Sequence, residues 1–311
     1  MANALRRRVL VSFASFASFA VGALVACAST STSTPATDAG ADASVELPPL
    51  GGSRPLTYIR TPDAWDGKKP LPLILLIHGY GAGGLAQAAY FGISNLVDEK
   101  QVILIAPDGT FDSGGRRFWN AVDTCCDFGK KNPDDVKYLT GLVDEVMARY
   151  PVDKKRVYVI GHSNGGAMTM RLACDAPERF AAAFELAGPF WSDPESRCNP
   201  SSPLALRVVH GTEDEAVPYG GGTLDAGASP GAQRIATFFA KKNGCGDTPA
   251  VASPIDIEPN LAGLETKVSR YAGCKSGADV ELWAIEKGGH LPAISATFRN
   301  AVWDFFSQHT R

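Results

Sequence analysis

A basic surplus is missing from this 311-residue chain, in which 30 lysines and arginines face 33 aspartates and glutamates. The formal net charge of −3 leaves no electrostatic footprint for nucleic acid. None of the 7 cysteines forms a Cys-x-x-Cys pair, which removes the usual spacing of a zinc site. Neither a metal nor a cofactor is expected. Histidine is scarce, with 5 in all, so the search for a catalytic base is short. There is no internal repeat. What remains is an ordinary globular balance, 45% hydrophobic and 20% charged, with length enough for one large core.

The first segment stands apart from that core. Arg6, Arg7 and Arg8 precede an apolar, Ala/Phe-rich run over residues 9–26, too short and too rich in small residues for a membrane span. The pattern predicts a signal peptide over residues 1–26. Leu24-Val25-Ala26-Cys27 resembles a bacterial lipobox, which implies cleavage before Cys27 and lipidation there. Residues 27–49 are rich in Ser, Thr, Ala and Asp without periodicity and read as a stalk. The expected product is exported and tethered to a membrane by the lipid alone, otherwise secreted, with a catalytic domain over residues 50–311. The 6 cysteines beyond Cys27 are an even set in an exported chain, so disulfides are expected. Spacing does not choose among the pairings. The preferred set is Cys245 with Cys274 and Cys174 with Cys198, leaving Cys125 and Cys126 to bond to each other or elsewhere.

Within the domain, apolar runs at residues 71–78, 102–106, 156–160, 181–186, 204–209 and 280–285 read as strands, with a shorter one at 57–60. Helices are expected over about 85–100, 134–150, 232–242 and 297–308. In the second of these, Val136, Leu139, Leu142, Val143, Val146 and Met147 recur at helical spacing. A long insert carrying Trp119, Cys125 and Cys126 fills the space up to about Pro133. Alternating strands and helices imply an α/β fold, a mostly parallel sheet covered on both faces. The link between Gly188 and Leu204 is too short for a large lid, so an open site is expected.

The stretch Val157-Tyr158-Val159-Ile160-Gly161-His162-Ser163-Asn164-Gly165-Gly166 organises the rest. A strand buried on both faces runs into Gly-x-Ser-x-Gly and then into a helix, the context of a nucleophile elbow. Such a turn lifts the Ser163 hydroxyl above the sheet and sets free helix N–H groups below the reacting carbonyl. A serine hydroxyl needs a base, and on this fold the chain order is Ser, acid, His. His78 and His162 precede Ser163, and His309 sits at the end of the last helix, where it is expected to be solvated. His210 ends a strand, just before an acidic cluster. His290 follows the last strand through Lys287-Gly288-Gly289, on the sheet edge where catalytic groups gather, and is the predicted base. The acid lies among Glu213, Asp214 and Glu215, which spacing alone does not separate. His210 and Thr212 are expected to shape that turn. The oxyanion donors are predicted to be the N–H groups of Asn164 and of Tyr80, with Gly81 next.

These residues support a resemblance. His78-Gly79-x-Gly81, Trp119-Asn120-Ala121 ahead of Cys125-Cys126, Asp134-Asp135-Val136, Gly161-x-Ser163-Asn164-Gly165-Gly166, His210-Gly211-Thr212-x-Asp214-x-x-Val217-Pro218-Tyr219 and Gly289-His290 span most of the domain. Together they resemble the secreted α/β-hydrolases of the polyhydroxybutyrate depolymerase and feruloyl/acetylxylan esterase family. The resemblance implies Asp214 as the acid, and ferulate or acetate esters of polysaccharide, or polyhydroxyalkanoate, as substrates. Many members continue His-x-Trp-Pro, whereas this chain has His290-Leu291-Pro292. Leu291 and Trp119 are the candidate substrate-binding side chains, with Trp119 as an acyl-side wall. The expectation is a serine carboxylic-ester hydrolase. A prolyl-oligopeptidase-type peptidase would need a second, gating domain, and a non-catalytic binding protein would have no use for a complete Ser, Asp, His set.

Overall fold

The computed structural model describes residues 48–311; the expected signal peptide, Cys27 and most of the stalk lie outside the described residues. The chain enters through a short strand, β1 (Ile59–Arg60), and then β2 (Leu71–Ile77), every residue of which is buried. Leu73, Leu75 and Ile77 pack on one side of the sheet, whereas Ile74 and Leu76 pack on the other. That is the period-2 alternation of a strand covered on both faces.

Two helices follow where one was expected over 85–100: α1 (Gly84–Phe91) and α2 (Asn95–Lys100). Gly92 breaks the run at a left-handed φ of 59°, with its N–H returning to the carbonyls of Ala88 and Ala89. Glycine adopts that conformation without steric cost, and a helix ends there. β3 (Ile103–Ile105) is the next buried strand. The insert contributes a small hairpin, β4 (Thr110–Phe111) with β5 (Arg117–Phe118). The amphipathic run forms α3 (Asp135–Arg149), started by the Asp134 carboxylate accepting from Lys137 N–H.

The strand β6 (Val152–His162) leads through Ser163 into α4 (Asn164–Asp175). Then come β7 (Ala182–Leu186), the 4-residue α5 (Pro194–Arg197), β8 (Ala205–Gly211), a hairpin of β9 (Gly221–Leu224) and β10 (Gly227–Pro230), and α6 (Ala232–Lys242). The sheet closes with β11 (Ala250–Val251), β12 (Thr266–Tyr271) and β13 (Val280–Ile285), before α7 (Ala296–Ser307).

Among the described residues the main sheet has 9 strands in the order β1-β3-β2-β6-β7-β8-β13-β12-β11. The central pairs from β3 to β13 are parallel, and the antiparallel ones are at the edges. Leu139, Val143, Met170, Ile235 and Phe239 cover one face from α3, α4 and α6. Phe91, Leu96, Phe298, Val302 and Phe306 cover the other from α1, α2 and α7. The helices sit on both sides because the right-handed crossovers run one way from β2 to β3 and the other way from β3 to β6 and onward.

Three disulfides join Cys125 to Cys126, Cys174 to Cys198 and Cys245 to Cys274. The second ties the end of α4 to the segment after α5, and the third closes the chain between α6 and β13. Cross-links over loops of 24 and 29 residues are each worth about 2–4 kcal/mol. His309 corrects the sequence-based expectation. It is held, not solvated, with Nδ1 2.8 Å from Phe305 O and Nε2 2.8 Å from Asp279 Oδ1. The last helix thereby fastens to the β13 edge.

Candidate active site

Ser163 occupies a backbone position that few residues tolerate, with φ 56° and ψ −120°. Strain of this kind costs on the order of 1–3 kcal/mol and persists only where the surroundings impose it. The flanking glycines explain how. A Cβ on Gly161 would stand 2.2 Å from Gly165 O, and one on Gly165 would stand 2.2 Å from Ile77 O. Only with both side chains absent can α4 fold back against β6 and β2 so tightly.

Three loops at the carboxyl ends of the strands converge on this turn. After β8, the Asp214 carboxylate is buried, while Glu213 and Glu215 are exposed. Asp214 Oδ1 accepts from Ala216 N at 2.9 Å and from Val217 N at 2.8 Å. After β13, His290 bridges the other two: Nδ1 is 2.8 Å from Asp214 Oδ2, and Nε2 is 2.9 Å from Ser163 Oγ. An ionised carboxylate can only accept, so Nδ1 carries the hydrogen and Nε2 offers its lone pair to the serine hydroxyl. Burial works against the charge on Asp214. Hydrogen bonds from His210, His290 and Val217 N more than offset it, and Asp214 stays well below the ordinary carboxylate range.

The loops are stitched together. Glu213 N–H donates to Gly288 O at 2.9 Å, and Lys287 N–H donates to Thr212 Oγ1 at 2.8 Å. Thr212 therefore fixes the acid loop to the base loop, and His210, with Nε2 2.7 Å from Val217 O, pins the acid turn from inside.

His162 is a site residue that sequence order alone passed over. Its Nε2 lies 2.9 Å from the backbone carbonyl of His290. A carbonyl only accepts, so His162 donates and holds the loop of the base in place. Burial, reinforced by His290 alongside, pushes His162 down to about 4, which keeps the ring neutral. Its place beside Ser163 in the Gly-x-Ser-x-Gly turn was the available signal.

The second wall is the loop after β2. Gly79 N–H donates to Gln87 Oε1 at 3.2 Å, so α1 braces this loop. Gly81 N–H is already given to Arg117 O at 2.8 Å, whereas Tyr80 N–H has no acceptor among the described residues. Of the two candidates, Tyr80 is therefore the donor that remains available beside the Asn164 N–H at the start of α4. The Tyr80 hydroxyl donates to Asp112 Oδ2, fixing the ring.

Ser163 and His290 open onto a cleft of about 380 Å³, walled by Tyr80, Tyr90, Ala82, Ala86 and Leu291. Leu291 stands on its rim at 67% exposure. Trp119 does not line this cleft, which corrects its expected role as a substrate wall. It is fully buried, its indole N–H donates to His78 O at 3.0 Å, and its backbone N–H and carbonyl are both bonded by the Asn164 side chain. Trp119 anchors the insert to the elbow instead. Between β7 and β8 no lid intervenes, only the loop carrying α5. Among the described residues, no group of three or more His, Cys, Asp or Glu side chains is arranged to hold a metal ion.

A parallel sheet flanked by helices, with an elbow serine in reach of a histidine and a buried aspartate, defines an α/β-hydrolase. The chain belongs to the phospholipase/carboxylesterase family, whose model matches residues 65–227, and is an enzyme of the carboxylic-ester hydrolase class. It is similar to feruloyl esterase D of Neurospora crassa, 27% identical with 83% of each chain covered. It is also similar to a probable feruloyl esterase C of Aspergillus niger, 26% identical over 80% of this chain and 82% of that one. Among solved structures, the acetyl xylan esterase of Aspergillus awamori shares the fold with a TM-score of 0.53 at 16% identity, over 80% of this chain and 93% of that one.

Proposed function

We propose that this protein hydrolyses carboxylic esters through an acyl-enzyme on Ser163. The single observation that carries the reading is the unbroken run of hydrogen bonds from Ser163 Oγ through His290 to Asp214. His290 Nε2 takes the hydroxyl proton as Oγ attacks the ester carbonyl, and Asp214 stabilises the imidazolium that forms. The oxyanion is received by the N–H groups of Asn164 and Tyr80, each such donor contributing about 10²–10³ in rate. His290 then returns the proton to the leaving alcohol. Water repeats the sequence, and the acid is released.

The cleft favours one acyl class. Tyr80, Tyr90 and Leu291 present flat and apolar surface, as an aromatic acyl group needs. Feruloyl esters of polysaccharide are therefore the first-choice substrate, with acetyl esters and hydroxyalkanoate polymer behind them. Among the described residues no lid covers the cleft, which suits a polymeric substrate. A fluorophosphonate should add once, at Ser163, and a panel of feruloyl, acetyl and 3-hydroxybutyrate esters should give the highest kcat/KM with feruloyl. A higher value for hydroxybutyrate oligomers would move the enzyme to the depolymerase side of its relatives. No label on Ser163 would overturn the ester-hydrolase reading itself.

The domain is proposed to work outside the cytoplasm, cleaved after residue 26 and held by lipid on Cys27. Cys27→Ser should shift the enzyme from the membrane pellet to the soluble fraction, read by fractionation and intact mass. An unmodified N-terminus at another residue would remove the anchor from the account.

A further inference from the structure

A second hollow borders the active-site cleft. It measures about 340 Å³, and its walls include Glu258, Asn260, Lys287 and parts of the base loop on either side of His290. Small-molecule sites span about 300–1,000 Å³. Tyr90 and Leu291 line both this hollow and the cleft that holds Ser163. The two are therefore neighbours across one ridge, with the exposed Leu291 as its crest.

The far wall is a turn fastened at both ends. Ile257 N–H and Glu258 N–H each donate to Glu265 Oε1 at 3.0 Å, just ahead of β12. Ser295 N–H donates to Ile257 O at 3.2 Å, which ties the same turn to the start of α7. Glu258 is 5% exposed and faces the hollow. Its Oε1 accepts from Asn260 N–H at 3.1 Å. Its Oε2 has no partner among the described residues, yet it is not one of the sealed, unpartnered atoms, so a solute can reach it. A carboxylate oxygen placed so deep calls for a donor. The ridge is also fixed, because the Tyr90 hydroxyl donates to Pro292 O at 2.7 Å. Burial raises that hydroxyl above its ordinary value and Glu258 adds to the rise, which keeps it protonated.

The direction of the reaction says which half of the ester comes here. His290 Nε2 returns its proton to the leaving oxygen, so the alcohol half lies on the base-loop side of Ser163 and the acyl half in the cleft. The side chains of the hollow say what that alcohol is. A carboxylate accepts, an ammonium donates and an amide does both, as does a hydroxyl. Glu258 and Lys287 carry opposite charges, so the hollow favours neither an anionic nor a cationic alcohol.

We propose that this hollow is the subsite for the alcohol half of the ester, and that this half is a neutral sugar whose hydroxyls bond to Glu258, Asn260 and Lys287. The proposal rests on the ester-hydrolase reading above and adds to it the group that leaves.

The experiment measures kcat/KM on a feruloyl monoester of arabinose and on methyl ferulate, which share the acyl group and differ only in the alcohol. Wild type should prefer the sugar ester by about tenfold or more, the size of one hydrogen bond to a charged group. Glu258→Ala should erase most of that preference, chiefly by raising KM for the sugar ester. Asn260→Ala, in an exposed turn, should lower it by about threefold. Should Glu258→Ala fail to fold, Glu258→Gln decides with Asn260→Ala: its oxygen still serves Asn260 N–H, its NH₂ replaces the open acceptor, and the preference should fall. No preference in wild type, a preference that neither position moves, or equal losses on the two esters would overturn the proposal. If Ser163 takes a fluorophosphonate and methyl ferulate turns over, such a result strikes the sugar subsite alone. Absence of both label and turnover would fall on the ester-hydrolase reading.

Discussion

Ser163→Ala is expected to lower turnover by about 10⁴ or more while melting near the parent protein. The loss is expected to be large because in the proposed mechanism the hydroxyl is the atom that forms the acyl bond. The fold should survive, because the strain at φ 56° belongs to the turn and the glycines around it, which alanine leaves as they are. What activity remains comes from the oxyanion donors, whose N–H groups are untouched. His290→Ala should match it in severity, since an unassisted hydroxyl is a poor nucleophile. The double variant should be scarcely worse than either single one, as groups acting in one proton transfer do not contribute separately. Single-turnover kinetics on a feruloyl ester would measure all three. Losses from Ser163 and His290 that multiply would mean that the two are not partners.

Asp214→Asn should cost on the order of 10⁴ in kcat with the fold intact, for a reason specific to this loop. The N–H groups of Ala216 and Val217 both point at Oδ1. They require an oxygen there, which forces the amide NH₂ of asparagine into the place of Oδ2. An NH₂ facing His290 Nδ1 can only donate, so the ring hydrogen moves to Nε2 and the serine loses its acceptor. Glu213→Gln and Glu215→Gln, both exposed, should stay within about threefold of wild type. If Glu213→Gln proves the crippling change, the acid is misassigned by one residue. The same carboxylate sets acid stability. Held below its ordinary value of about 3.9, Asp214 contributes stability that is full above that pH and is lost as pH falls through its folded value. Asp214→Asn should therefore lose less of its thermal midpoint than wild type between pH 5 and 3.

Much of the architecture was legible because it rests on local pattern. The strand at 280–285 and the helix at 232–242 match the structure residue for residue, since each is bounded by clear polar or glycine breaks. The helix over 85–100 was overdrawn because apolar periodicity continues across Gly92, and only the left-handed φ there ends it. β12 was missed although Thr266 and Val268 alternate with Lys267 and Ser269. This strand, next to the short edge strand β11, buries one face only, and six residues of weak alternation make a faint signal.

Site residues divide along the same line. Ser163 and His290 follow from the strand–turn–helix order and from a shortage of histidines, both of which are linear properties of the chain. Asp214 could be separated from Glu213 and Glu215 only by resemblance, and the buried turn supplies the physical reason. The roles of Trp119 and His162 escaped a linear reading. Each acts through a partner far along the chain: Asn164 for Trp119 and the His290 carbonyl for His162. By itself the sequence determined the alternation of strands and helices, the elbow, and which serine and histidine have the right order, because backbone sterics and burial act over neighbouring residues. Only the tertiary structure decided which carboxylate is buried with two N–H donors, which oxyanion-loop N–H remains available, and that Trp119 supports the site instead of lining it. The last two outcomes depend on hydrogen-bond partners tens of residues away, and the burial of Asp214 is decided by what the folded chain brings to it.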